Sequence, residues 1–131
     1  MNNTVGNYKT TLISSKEEIE KIRTIWESMQ KHPNSDIDHY LNLMTARTNI
    51  VKPHIFLITL EDRPVALAIG RIEMFPFELK IGYKKVCSPL IKSLTMIHGG
   101  LLGNLSTDIS KIIFSEIMNT LTRGEVDLIR F

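Results

Sequence analysis

Hydrophobic and polar positions near the start of the chain predict an amphipathic helix. After Ser15, apolar residues recur at three- and four-residue steps, at Ile19, Ile22, Trp26 and Met29. Ser14 and Ser15 are each followed three residues later by a glutamate, a doubled capping-box pattern that marks a helix start. His32 and Pro33 end this helix, and its apolar stripe is expected to face a core.

A second helix is predicted to begin at Ser35 or Asp36 and to stop before Pro53. Its apolar face holds Ile37, Tyr40, Leu41 and Met44. The short mixed segment Tyr8 to Ile13, ahead of the first helix, is interpreted as a strand. The chain therefore opens with a strand and a helical pair.

From His54 the pattern changes to nearly continuous apolar runs. Residues 55 to 60 and 65 to 72 are apolar on either side of a turn at residues 61 to 64, which predicts a central β-hairpin buried on both faces. The segments Leu79 to Val86 and Leu90 to Ile97 predict one or two further strands.

The last third of the chain predicts a glycine loop, a helix and a strand. Residues 99 to 104 form the most glycine-rich stretch and are interpreted as the loop. A helix opens at Thr107 or Asp108, with Gly124 placed for a left-handed C-terminal residue. Its apolar face holds Ile109, Ile112, Ile113, Ile117 and Leu121. Val126 to Phe131 is predicted to be a strand.

Composition limits the classes of protein to which the chain can belong. Its 131 residues, 43% hydrophobic, suffice for one domain with its own core, and the formal charge of +2 without like-charge runs gives little support for nucleic-acid or membrane-surface binding. The single cysteine, Cys87, cannot form an internal disulfide, and no leader opens the chain, so a reducing cytoplasm is expected. No apolar run approaches the ~20 residues of a transmembrane helix.

The order of these elements resembles the GNAT acyltransferase fold through its fifth strand. Within that superfamily the chain is similar to the N-terminal half of CelD-like proteins of cellulose and exopolysaccharide synthesis, which are similar to FemAB aminoacyl transferases. The likeness is carried by His54 to Ile72 with its flanks, by Leu94 to Asn104 (LTMIHGGLLGN) and by Glu125 to Phe131 (EVDLIRF), together with the helix before the last of these. These stretches cover about two thirds of the chain.

The resemblance implies an α+β fold with a mixed, mainly antiparallel sheet flanked by helices, truncated after the fifth strand. It implies one domain that is the first half of a larger protein, completed by a second GNAT-like half or a partner chain. It also implies transfer of an acetyl, acyl or aminoacyl group from coenzyme A or a similar carrier to a small-molecule or sugar acceptor, in polysaccharide or cell-envelope biosynthesis.

The glycine segment is the leading candidate for donor binding. A loop of small residues before a helix presents backbone N–H groups to an anion, which makes Gly99, Gly100, Gly103 and Asn104 candidates for the pyrophosphate of coenzyme A. The GNAT motif there is Gln or Arg, two residues, Gly, one residue, then Gly or Ala. This chain does not reproduce that spacing, and the competing interpretation, a tight turn, is favoured by sequence alone.

His98 and Glu73 are the candidates for a catalytic base. His98 closes the strand before the glycines, and Glu73 stands with Glu78 beside the aromatic segment Phe75 to Phe77. A structural histidine and solvated carboxylates are the competing interpretations. Cys87 is interpreted as a small buried hydrophobic residue.

No metal is assigned, because the remaining histidines show no ligand spacing. The apolar residues Met74, Phe75 and Phe77 are expected to form a surface that packs on a second domain or a partner chain.

Two further hypotheses stay open at this point. A GNAT-like scaffold that has lost acyl-CoA binding would serve as a non-catalytic binding or assembly module. A small-ligand sensor of unrelated α+β fold is the third alternative, because function does not follow from fold class.

Overall fold

A computed structural model describes residues 2–131 and shows an α+β architecture in which helices cover both faces of one sheet. The helices are α1 (Lys16–Lys21), α2 (Arg23–Met29), α3 (Ile37–Ala46) and α4 (Thr107–Thr122). The strands are β1 (Asn2–Val5), β2 (Tyr8–Ile13), β3 (Ile50–Leu60), β4 (Arg63–Pro76), β5 (Leu79–Ile81), β6 (Lys84–Cys87), β7 (Leu90–Gly103) and β8 (Leu128–Arg130). A 3₁₀ turn, Pro33–Ser35, joins α2 to α3.

The main sheet has six strands in the order β1-β2-β3-β4-β7-β8, while β5 and β6 form a separate hairpin. All neighbours in the main sheet are antiparallel except β7 and β8, which run parallel and are joined through α4. The sheet is therefore mixed and mainly antiparallel, as expected.

The helix ends follow the capping signals of the sequence. Ser15 accepts a hydrogen bond from the backbone N–H of Glu18 at the start of α1, and Asp36 and Ser106 cap α3 and α4 in the same way. The first predicted helix is interrupted at Ile22, whose φ of −105° and ψ of 13° are not helical, so α1 and α2 are two short helices.

Two apolar clusters lie on opposite faces of the sheet. On one face α1, α2 and α3 pack through residues such as Ile19, Trp26 and Tyr40 against Ile55 and Ile69. On the other face the isoleucines of α4 pack against β3, β4 and β7. The predicted apolar stripes of all these helices are confirmed, because each one faces the sheet.

The β3–β4 hairpin is longer than its apolar core. Glu61 and Asp62 both have positive φ, 49° and 65°, and form a two-residue turn, so Arg63 and Pro64 belong to β4 and not to the turn as predicted. The structure also contains β1, a strand that was not predicted from the sequence. Val126 and Asp127 precede β8 and do not belong to it.

Two further expectations are corrected by the structure. The glycine segment is not a loop, because Gly99, Gly100 and Gly103 lie within β7 and only residues 104–106 separate that strand from α4. Cys87 is exposed on the β5–β6 hairpin, and the interpretation as a buried residue was wrong. That hairpin packs little of its surface, so a cysteine there stays open to solvent.

Among the helices of residues 2–131, none has the length and apolar character needed to cross a membrane.

Candidate functional site

The parallel strands β7 and β8 stay together for only three residue pairs. Ser93, Leu94 and Thr95 pair with Leu128, Ile129 and Arg130, after which β7 continues to Gly103 paired with β4 but not with β8. Beyond Thr95 this edge of β7 carries backbone N–H and C=O groups that no neighbouring strand pairs within residues 2–131. Among residues 2–131 this stretch of the sheet edge is therefore uncovered and forms a gap beside Phe131.

The other side of β7 is irregular at the same level. Met96 pairs with Gly70 and Leu101 with Ala68, so residues 97 to 100 lie opposite Ile69 alone. At this bulge, beside the gap, the side chains of β7 no longer alternate regularly between the two faces of the sheet.

An apolar cavity of about 470 Å³ lies between the gap and α4. Its walls come from β7, α4, the segment between them and Phe131, and consist of Met96, Ile97, His98, Gly99, Leu101, Leu105, Ser110, Ile113, Phe114, Ile117 and Phe131. Phe131 is 85% exposed and Phe114 58% exposed, so apolar surface remains in contact with water at the mouth. A cavity of this size and character suits the apolar part of a small ligand.

A polar groove continues from this cavity along α4. It shares Leu105, Ser110 and Phe114 with the cavity and adds Thr107, Lys111 and Ser115. The groove thus joins an apolar cavity to one cation and three hydroxyl groups, a combination that matches a ligand with an apolar end and an anionic end.

A second cavity of about 300 Å³ lies on the α3 side of the gap. It shares Met96, Ile97, His98 and Phe131 with the first cavity. The remaining walls are Asn34, His39, Tyr40, Leu43, Arg71 and Thr95. The bulged end of β7 therefore separates two cavities, one on each face of the sheet.

His98 is exposed and lines both cavities. Its ring lies edge-on to His32, with ring centroids 5.4 Å apart, and the Nδ1 of His32 accepts a hydrogen bond from the backbone N–H of Asn34. Gly99 has φ of +74°, and a Cβ there would lie 2.8 Å from Cγ of His32. Gly99 thus lets β7 pass close beneath His32 and helps to set the position of His98.

The other predicted donor-binding residues serve packing. Of Gly99, Gly100, Gly103 and Asn104, only Gly99 lines the larger cavity. Gly100 is buried against Ile97 and Ile69. At Gly103 a Cβ would overlap the carbonyl oxygen of Val65, and the N–H of Asn104 donates to that same oxygen at 2.8 Å. The backbone N–H of Asn104 is consequently not free to bind phosphate.

Glu73 lies in β4 with only 3% of its side chain exposed and lines neither cavity. It accepts hydrogen bonds from Arg71 at 2.9 Å, Thr95 at 2.9 Å and Arg130 at 3.2 Å, while Arg47 lies 3.8 Å away. Burial alone raises the pKa of Glu73, but the hydrogen bonds from Thr95 and Arg71 and the nearby arginine charges outweigh it, so this pKa lies below its usual value. A carboxylate held in this way is a weak proton acceptor.

The aromatic segment after Glu73 is only partly open. The Arg130 guanidinium lies 4.0 Å from the ring centroid of Phe75 and covers that ring. Phe77, in contrast, is exposed. Glu78 is also exposed and pairs with Lys80 and Lys85 on the β5–β6 hairpin, so its carboxylate lies on the surface.

Sequence reasoning missed Arg71, Lys111 and Phe131 as residues of the site. Arg71 offered a signal, since it is a charged residue at the end of an apolar strand. Lys111 and Phe131 offered none, because their role depends on the distance between α4 and the end of β8.

Within residues 2–131, no group of three His, Cys, Asp or Glu side chains is placed to hold a metal ion. Comparisons with protein-family models, with curated proteins and with solved structures found no significant match.

Proposed function

We propose that this chain is a GNAT-like acyltransferase domain whose apolar cavity of about 470 Å³ receives the acyl group and thiol arm of coenzyme A or acetyl-CoA. The observation that carries the proposal is the apolar cavity of about 470 Å³ between α4 and the unpaired edge of β7.

The open edge of β7 supports binding of an extended donor. The arm of coenzyme A contains amide groups, and an extended amide chain can pair with the uncovered edge of β7 beyond Thr95 as an added strand does. Its phosphates would then lie along the polar groove, near Lys111 and the hydroxyl of Thr107. Donor binding would therefore use this groove and not the glycines.

His98 lies where a proton acceptor would be required. In acyl transfer to an amine, the amine nitrogen attacks the thioester carbonyl, the carbon–sulfur bond breaks and the thiolate leaves with its electron pair. The amine proton must pass to a base, and His98 faces both the donor cavity and the second cavity. Glu73 is less suited, because its carboxylate is buried in ion pairs.

The resemblance to CelD-like and FemAB proteins extends the proposal to polysaccharide or cell-envelope biosynthesis, with a small molecule or sugar as acceptor. A second GNAT-like half or a partner chain would cover Phe114 and Phe131 and complete the cleft. The free thiol of Cys87 fits a reducing cytoplasm, where we expect the protein to act.

The test is calorimetric titration of the chain with coenzyme A and acetyl-CoA. Ser110 is exposed on α4 and lines both the cavity and the groove, so Ser110→Trp fills the mouth and is expected to weaken binding about tenfold or more. Asn119→Trp is the matched control, since Asn119 is exposed on the same helix and lines neither. Equal binding by both folded variants would contradict the proposed location.

A non-catalytic binding or assembly module is the second candidate function. It is favoured by the exposed apolar side chains at the cavity mouth and by glycines that serve packing instead of phosphate binding. If neither coenzyme A nor acetyl-CoA binds the unaltered chain, this candidate replaces the acyltransferase.

A further inference from the structure

We infer that the smaller cavity recognises a compact oxyanion, a carboxylate or a phosphate, on the acceptor substrate, and that Arg71 is the residue that binds it. Its role as an acceptor site rests on the proposed function, whereas anion binding follows from the side chains that line the cavity.

Arg71 lies on β4 in the wall of the cavity, with 12% of its side chain exposed. Its Nε donates a hydrogen bond to Glu73 at 2.9 Å. The terminal nitrogens Nη1 and Nη2 make no hydrogen bond to any other residue among 2–131. A guanidinium presents its donors in a planar fork that fits a carboxylate or phosphate in two-point contact. Arg71 is thus held in place through Nε, with donors left for a ligand.

The charges around the cavity leave an excess of positive charge. Arg47, Arg71 and Arg130 all lie within 4.0 Å of Glu73, so three cations surround one carboxylate. Among the residues that the structure describes, no aspartate or glutamate side chain lines the cavity. Because Arg71 and Glu73 are largely buried, the field of the excess charge is screened less than on an open surface. An anion entering the cavity would offset this excess.

The rest of the cavity suits a small polar molecule. Asn34 and His39 are exposed and lie at the mouth, whereas Tyr40 is buried and donates its hydroxyl to the carbonyl oxygen of Gly70 at 2.6 Å. That hydrogen bond holds the tyrosine side chain in place as part of the cavity wall. A volume of about 300 Å³ lies at the small end of the range of ligand sites.

The position of the cavity agrees with an acceptor role. It meets the donor cavity at His98, so an acceptor anchored on Arg71 by its anionic group would extend its amine toward the same histidine. We therefore expect acceptors that carry an amine at one end and an oxyanion at the other.

The test is an NMR titration of the isotope-labelled 131-residue chain with succinate, with inorganic phosphate and with the neutral analogue succinamide. Succinate or phosphate is expected to shift the amide signals of residues 95 to 98, and succinamide is not. Shifts with succinate alone would identify a carboxylate-bearing acceptor, and shifts with phosphate alone a phosphate-bearing one. No shift with either anion, or equal shifts with succinamide, would overturn the inference.

Variants then test the role of Arg71. The double variant R71Q/E73Q removes both charges and so avoids leaving a buried unpaired carboxylate. It is expected to bind the anion about ten- to a hundredfold more weakly. Arg63→Gln is the control, because Arg63 is exposed on the same strand, does not line the cavity and is not one of the cations around Glu73. A folded double variant with unchanged affinity would overturn the inference.

A second variant and a second titration keep the outcomes distinct. Arg71→Lys preserves the charge beside Glu73 but loses the planar fork, so its affinity should also fall, and unchanged affinity would reject two-point binding by Arg71. If the unaltered chain binds coenzyme A but neither anion, only the anion site is overturned. Anion binding without coenzyme A binding overturns the acceptor role and the proposed function together.

Discussion

At the scale of single residues, His54 shows how burial constrains a titratable group. It is fully buried on β3, with Nε2 3.3 Å from the hydroxyl oxygen of Thr120 and Nδ1 without a hydrogen-bond partner among residues 2–131. Its ring lies edge-on to Phe56. Burial lowers the pKa of His54 to about 4, and the positive charges of Lys52 and Arg123 act in the same direction against the opposing charge of Glu125.

His54 should therefore make the fold sensitive to mild acid. Because its pKa in the folded chain lies below the unfolded value of about 6.5, the unfolded chain takes up the proton first, and stability is lost as pH falls from about 6.5 towards 4. We expect the free energy of unfolding to drop by about 2 kcal/mol between pH 7 and pH 5 from this residue. Urea unfolding at the two pH values measures the change.

The control for this prediction is the comparison of two histidine variants. His54→Gln should remove most of the loss between pH 7 and pH 5, whereas His39→Gln, at an exposed site, should retain it. Glu73 acts in a lower range, because its lowered pKa makes its contribution disappear only below about pH 4.5. An unchanged pH dependence in His54→Gln would rule out the assignment.

At the scale of elements, β7 combines two functions within one strand. From Leu90 to Met96 it pairs regularly with β4, and residues 97–100 form a bulge in which Ile97, His98 and Gly99 line the candidate site before regular pairing resumes at Leu101. Gly103, with φ of +90°, is the point where β7 passes so close to Val65 that no side chain fits. The glycines that first indicated a phosphate loop are thus requirements of this strand geometry.

Gly103→Ala should destabilise the chain more than an alanine at another glycine of positive φ. Gly124 follows α4 with φ of +76° and has open space around the Cβ position, so Gly124→Ala reports backbone strain alone, about 1 kcal/mol. Gly103→Ala adds the overlap with Val65 and is expected to lower the free energy of unfolding by about 2–4 kcal/mol. Urea unfolding of both variants is the measurement, and equal losses would refute the close-packing role.

At the scale of the whole molecule, the sequence predicted the layers of the fold but not its site. The helices were predictable because their caps and apolar spacing are local signals, as Ser106 and the isoleucines of α4 illustrate. The hairpin β3–β4 was predictable because its runs are apolar on both faces. These elements outline the α+β architecture.

The candidate site was only partly predictable, because it depends on where strands stop pairing. His98 and Gly99 were identified from sequence and do line the larger cavity. Glu73 was identified as a base from its place beside Phe75, yet three long-range partners, at residues 47, 95 and 130, surround it together with its near neighbour Arg71. No local pattern reports such contacts, nor the three-pair length of the β7–β8 ladder.

The central proposal is that an acyl-CoA donor binds in the apolar cavity between α4 and the edge of β7. Hydrogen–deuterium exchange with and without acetyl-CoA tests it most directly, because amides on the β7 edge beyond Thr95 have no neighbouring strand among residues 2–131 and are expected to exchange readily unless a ligand pairs with them. We predict slower exchange in peptides covering residues 96–103 and 105–117, with none in the β5–β6 hairpin. Unchanged exchange in those peptides at saturating acetyl-CoA, or protection confined to residues elsewhere, would contradict the account.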